Sequence, residues 1–197
     1  ADAKPYDFPS VCPCYLKTPI VQETTASGVA TVVRRCSGEF ACPFQRIEHL
    51  KHFVSRRAFD IEGLGDKQLH AFFEEGLVKE PADIFRLAKN KEALQALRER
   101  ERYGETSVAN LVRNIEARRT IALDRFIFAL GIRHVGETTA VTLARGYGSA
   151  DAFLEAMDKV ADRHPAAIEE LDALDQVGGA VIEAAASYFA EDHNRRI

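Results

Sequence analysis

Four cysteines, Cys12, Cys14, Cys36 and Cys42, are the residues of this chain best suited to chemistry by type and spacing. They form the pattern C-x-C-x21-C-x5-C, in VCPC and RRCSGEFAC. Zinc takes four N or S ligands in a tetrahedron, and two cysteine pairs joined by a hairpin suit it. In an extended strand, residues two apart point to the same face, so Cys12 and Cys14 could reach one ion through a tight chelate. Gly38 supplies the turn that would bring Cys36 and Cys42 together. His49 or His52 could replace Cys14 if its thiol points away. An iron–sulfur cluster also uses four cysteines but favours shorter spacings. Buried free thiols or a disulfide are the non-metal readings. No secretory leader is evident, and clustered cysteines in a reducing compartment more often bind metal than pair. Zinc is therefore the expectation.

The elements that must position these groups fall into two kinds. Residues 1–10 contain Pro5 and Pro9 and read as extended. GVATVVRRC is β-branched, follows a glycine turn and reads as one arm of a hairpin. After Pro43 the period becomes helical: Ile47, Leu50, Phe53 and Val54 share a face. Pro81 is expected to start a helix, and Asp124 to cap another whose Phe126, Ile127 and Leu130 share a face. The fold class expected is mainly α: a small β-rich, four-cysteine zinc finger over 11–45, then a compact helical domain over 46–197. Apolar residues are 46% of the 197 and charged residues 28%, a globular balance. No apolar run approaches a membrane span. The opening ADAKPYDFPS has neither Met nor a start signal, so a piece of a longer protein is expected.

The helical part repeats one device: IEGLGDKQLHAFF, RERYGETSVANLV, IRHVGETTAVTLA and LDQVGGAVIEAAA align on Gly65, Gly104, Gly136 and Gly178. One position before the glycine lie Leu64, Tyr103, Val135 and Val177. Four after lie Leu69, Val108, Ala140 and Ile182; seven after lie Phe72, Leu111, Leu143 and Ala185. Apolar residues at these offsets suit a hairpin whose second helix packs on the first. The irregular gaps between glycines argue against a solenoid. This is the helix-hairpin-helix pattern, complete in Gly63-Leu64-Gly65 and degenerate where Arg102, His134 and Gln176 replace the first glycine; Gly179 follows Gly178. Glycine admits a close backbone, and the helix behind it offers unpaired N–H groups and the positive end of its dipole. The matching ligand is a phosphate oxygen, and the matching partner a nucleic-acid duplex read by its backbone. Candidate contacts are Arg56, Arg57, Gly63, Gly65, Lys67, Gly104, Arg118, Arg119, Arg133, Gly136, Thr138, Gly178 and Gly179.

The net charge of −4 is unevenly spread. Residues 33–57 hold six basic and two acidic side chains, whereas 146–194 hold two basic and eleven acidic. Local sign decides where a phosphate backbone can lie. GLGDKQ lacks the third glycine and preceding strand of a dinucleotide fingerprint. No Ser-His-Asp order or carboxylate pair stands out. A helix-hairpin-helix glycosylase or lyase, and a non-enzymatic scaffold docking through the acidic helices, remain alternatives.

RRCSGEFACPFQRIEHLKHFVSRRAFDIEGLGDKQL, with SVANLVRNIEARR and FALGIRHVGETTA, resembles the C-terminal half of bacterial NAD-dependent DNA ligases over nearly the whole chain. That family has a nucleotidyltransferase domain and an OB fold, then a four-cysteine zinc finger, four helix-hairpin-helix motifs and a BRCT domain. The resemblance implies that residues 1–10 leave the OB fold and that Cys12, Cys14, Cys36 and Cys42 ligate zinc. It also implies that the hairpins grip nicked duplex beside the other domains of the ligase chain, in the cytoplasm at the nucleoid. The family's first pair is usually CPxC; here one residue is missing. The lysine that takes AMP from NAD stands in a Lys-x-Asp-Gly motif, and none of the eight lysines here begins one. The resemblance thus places NAD and Mg chemistry in a catalytic domain outside this chain, which alone is expected to be inactive.

Overall fold

A computed structural model describes residues 6–24, 29–101 and 103–197. The expectations at residues 1–5, at the Gly28 turn and at Arg102 lie outside the described residues. The chain divides into two compact units, Ala1–Glu48 and His49–Ile197.

In the first unit the β-branched stretches form two antiparallel strands, β1 (Ile20–Thr24) and β2 (Ala30–Cys36). Ile20 faces Cys36, Val21 faces Arg35 and Gln22 faces Arg34, and the register then slips before the Thr24–Ala30 pair. A 3₁₀ turn over Glu39–Ala41 follows, closed by the Cys42 amide donating to the Gly38 carbonyl at 3.1 Å. The buried cluster of this unit is made of Cys12, Cys14 and Cys42, with Cys36 against it. Large apolar side chains elsewhere in the unit stay in water: Tyr6 is 75%, Tyr15 76% and Val32 93% exposed. So small an apolar core calls for a further cross-link, such as a metal.

Helices occupy nearly everything after Cys42. They are α1 (Pro43–Val54), α2 (Asp66–Glu74), α3 (Pro81–Leu87), α4 (Lys91–Arg98), α5 (Glu105–Ala117) and α6 (Leu123–Ala129). They continue as α7 (Glu137–Tyr147), α8 (Ala150–Ala161), α9 (Pro165–Asp172), α10 (Gly179–Ala190) and α11 (Asp192–Arg195). Their starts have local causes. Pro81 opens α3 inside a capping box of Glu80 and Asp83, while Asn90 and Ser149 accept backbone N–H groups at the starts of α4 and α8. Asp124 departs from expectation: Ala122 is the cap of α6, and Asp124 lies in its first turn. There its charge favours the helix dipole without capping it.

The four-hairpin frame is reproduced in the packing. Leu64, Val135 and Val177 are buried one position before their glycines, and Tyr103 is half-buried. All eight residues four and seven positions after are buried, with Leu69, Val108 and Phe72 wholly so. α6 packs along α7 and α8 along α10. Three hairpins share one closing bond, in which the amide before the glycine donates to the carbonyl three residues back. The pairs are Tyr103 to Arg100, Val135 to Ile132 and Val177 to Leu174, at 3.1, 3.0 and 3.2 Å.

Candidate nucleic-acid interface and metal centre

The thiols of Cys12, Cys14 and Cys42 converge from the segment before β1 and the turn after β2, each sulfur within 4.8 Å of the others. Cys12 Sγ lies 3.8 Å from Cys42 Sγ. That is far beyond a disulfide bond, and none of the four cysteines is bonded to another. It equals the sulfur–sulfur edge of about 3.8 Å that a tetrahedron of Zn–S bonds near 2.3 Å requires. The short C-x-C spacing therefore does not keep Cys14 out. Cys36 is the half-buried outlier. Its sulfur is 2.9 Å from Thr18 Oγ1 and accepts the Gly38 amide at 3.3 Å. Burial raises its pKa, but these two bonds, together with those to the Cys12 and Cys42 thiols, outweigh burial and bring it down to about 7. Cys14's backbone lowers the pKa of Cys12, yet burial and the three neighbouring thiols push it up to about 12. Crowded thiols of this kind share protons that a divalent cation can replace. The donor set fits a metal ion. Gly38 fits closely here: a Cβ would stand 3.0 Å from Thr18 Oγ1, 3.2 Å from Cys42 Cβ and 3.3 Å from Cys36 Sγ, pressing on the cysteine cluster.

The two histidines offered as substitutes are engaged elsewhere. In the second unit, His49 Nε2 meets the Leu130 carbonyl at 3.0 Å and His52 Nε2 the Phe128 carbonyl at 2.7 Å. Both rings donate to carbonyls at the end of α6; that of Phe128 also accepts the Gly131 amide at 3.1 Å. Burial, the largest influence, holds the His49 pKa down at about 4, so the ring is neutral.

The hairpin glycines have one geometry. Gly65, Gly104, Gly136 and Gly178 are the N-caps of α2, α5, α7 and α10, all with extended backbone and none with a side-chain cap bond. Two positions earlier, Gly63, His134 and Gln176 have φ of +93°, +63° and +63°. The third and fourth copies thus keep the left-handed turn at some strain. The N-caps themselves need no glycine for φ. Nor does packing demand one: a Cβ on Gly104, Gly136, Gly178 or Gly179 would meet nothing within 4 Å. On Gly65 it would meet only Gln68 Oε1, at 3.5 Å. Each glycine leaves open space before the exposed N–H groups of a helix start.

Around these starts, Lys67 and Thr138 are exposed in the first turns of α2 and α7. Thr106 holds the matching position in α5; alignment of the repeats would have added it to the candidates. Arg56, Arg57 and Arg133 are exposed. Arg57 pairs with Glu137 at 2.8 Å. Arg118 and Arg119 are committed internally. Arg118 donates to the Asp60 carboxylate at 2.6 Å, and Arg119 binds Glu116 and the Phe85 carbonyl and lies over the Phe85 ring. Arg125, not among the candidates, donates to the carbonyls of Arg56 and Ala58 at 2.6 and 2.8 Å. Its role depends on the 69-residue separation from Arg56 closing in space, which spacing does not reveal.

Comparison with known proteins agrees with this geometry. The helix-hairpin-helix motif family matches residues 125–197. A DNA ligase of Phenylobacterium zucineum is 74% identical over 194 residues, covering 98% of this chain and 28% of the relative. One of Bradyrhizobium sp. (strain BTAi1 / ATCC BAA-1182) is 63% identical over 197 residues, 100% of this chain and 27% of the relative. One of Caulobacter vibrioides (strain NA1000 / CB15N) is 71% identical over 143 residues, 73% of this chain and 18% of the relative. The chain thus spans about a quarter of the length of the curated relatives that match it throughout. With identity of this extent, four hairpins in one frame and a cysteine cluster ahead of them, the chain belongs to the DNA ligase family, as a helix-hairpin-helix segment of it.

Proposed function

We propose that this chain is the duplex-gripping part of an NAD-dependent DNA ligase that joins nicks during replication and repair. The observation that carries this is the set of four glycine N-caps that neither backbone conformation nor internal packing requires. Such glycines make sense if something outside the chain comes close. A phosphate oxygen fits, because it accepts the free N–H groups and lies at the positive end of the helix dipole. Phosphates look alike at every base pair, so the grip is independent of sequence. Lys67, Thr106 and Thr138 add donors beside three of the starts. α10 has Gly179 and Ala180 at its start, within the acidic stretch 146–194, and contributes least.

In this reading the domains are a zinc finger over 11–45 and a duplex-binding domain over 46–197, joined by residues 1–10 to an OB fold. Cys12, Cys14, Cys36 and Cys42 hold zinc, which cross-links the small β unit and supplies no catalytic step. Cys36 completes the ligand set by giving up its bond with Thr18. NAD and Mg act in a catalytic domain elsewhere in the ligase, so the chain alone neither adenylates nor ligates. The partners are nicked duplex and the other ligase domains, without a membrane, in the cytoplasm at the nucleoid. The test is fluorescence anisotropy with nicked and intact duplexes of several sequences. Binding at low salt that falls steeply with added salt and ignores sequence is expected. Absence of binding at low salt, or self-adenylation with labelled NAD, overturns the reading.

A further inference from the structure

Three of the four hairpins begin their second helix with an acid: Asp66, Glu105 and Glu137. An acid there suits the dipole but competes with any phosphate for the same helix start. Each acid has a cation set against it. Lys51 Nζ is 3.7 Å from Asp66, Arg98 Nε is 3.3 Å from Glu105, and Arg57 is 2.8 Å from Glu137. In the first two pairs the cation comes from the helix of the same hairpin, and its side chain is only 20% and 32% exposed.

The third pair is built differently. Arg57 belongs to the turn after α1, so it reaches from the first hairpin to the third. Its side chain is 70% exposed and that of Glu137 54%. The backbone beneath it is fixed, because Arg125 of α6 donates to the carbonyls on both sides, those of Arg56 and Ala58. A held backbone carries an exposed guanidinium. Arg56, Arg57 and Arg125 line a cavity of about 640 Å³ with the carboxylates of Asp124 and Glu137 and the apolar Phe128 and Val141, so three cations stand there against two acids. It opens beside the Gly136 helix start, and Arg56 has no ion-pair partner among the described residues.

We propose that this cavity seats a duplex phosphodiester at the third hairpin, and that Glu137 gates it by holding Arg57 while the site is empty of DNA. The arriving phosphate takes Arg57 from Glu137. The exchange favours phosphate, because guanidinium–phosphate bonds are charge-assisted and bidentate, whereas an exposed ion pair gives up little. Arg56 and the α7 amides complete the seat. Glu137 thus sets the threshold for duplex binding, and weaker anions leave Arg57 where it is.

The inference rests on the duplex-binding reading, and the test separates the two. The 197-residue chain is titrated against a labelled duplex at about 50 mM salt, as wild type, E137Q, R57Q and the double variant. E137Q is expected to bind about fivefold tighter. R57Q is expected to bind about tenfold weaker, with a salt slope shallower by about one. In the R57Q background, E137Q should gain clearly less than it does alone. If the wild type fails to bind, the duplex-binding reading falls and this one with it. If the wild type binds but E137Q binds no tighter, or R57Q binds equally well, only the gate is overturned.

Discussion

Replacing Gly136 with serine separates binding from stability. Gly136 has φ −86° and ψ −178°, which any residue adopts, and a Cβ there meets nothing within 4 Å. Serine is the better N-cap by a few tenths of a kcal/mol. It also restricts the unfolded chain, adding about 0.4–1 kcal/mol where the native conformation suits it. Stability should therefore stay level or rise by up to about 1 kcal/mol, a shift of about 2–4 °C in Tm for a chain of this size. Binding should move the other way. The serine hydroxyl accepts a first-turn N–H and stands where a phosphate oxygen would stand. A hydrogen bond to a charged partner is worth about 1.5–3 kcal/mol, so duplex affinity should drop at least about tenfold. Thermal unfolding and anisotropy on the same preparation provide the two readings. Serine at 65, 104 and 178, made one at a time, ranks the hairpins by their share of the grip. Unchanged affinity in all four variants would refute the argument, as would a loss of affinity matched by a loss of stability.

The other predictions concern the metal, the buried ring and the packing. Native mass measurement should find one zinc per chain, lost in Cys14→Ser and kept in His52→Ala. Zinc retained in Cys14→Ser would contradict the sulfur geometry. The His49 pKa is near 4 folded, against about 6.5 unfolded, so the unfolded state binds the extra proton. Its contribution is complete above about pH 6.5 and is lost as pH falls toward 4, by about 3 kcal/mol in all. Denaturant titrations of wild type and His49→Gln across that window should show the difference. Gly146→Ala places a Cβ 2.9 Å from Leu174 Cδ2, the end of a half-buried side chain that can turn aside; alanine gains about 0.5–1 kcal/mol in a helix, so chemical denaturation should show a net change under about 1 kcal/mol with the hairpin starts left alone. Phe153→Ala empties a fully buried site, and chemical denaturation should show a loss of about 3–5 kcal/mol.

The hairpins were readable because each is local. A turn glycine and apolar residues at fixed offsets lie within about a dozen positions, and helical period turns those offsets into one buried face. Tyr103 is only half-buried, its ring set 6.4 Å from that of Phe72. The cysteine pairs were readable by type, but the short first spacing left a histidine open as a substitute for Cys14. In the structure Cys14 joins the cluster, the histidines serve α6, and Cys36 is the sulfur held to one side.

What the residues determine by themselves is therefore whatever depends on neighbours along the chain. That includes the helical and β-rich parts, the four glycine starts and the cysteine inventory. Tertiary structure alone decided which cations are free for an outside partner. Arg118 is held by Asp60, 58 residues away, Arg125 by the turn at Arg56, and Arg57 by Glu137. A guanidinium reaches several ångströms from its backbone and binds whichever oxygen the fold brings near. Its partner is set by distance in space, for which sequence separation is no guide.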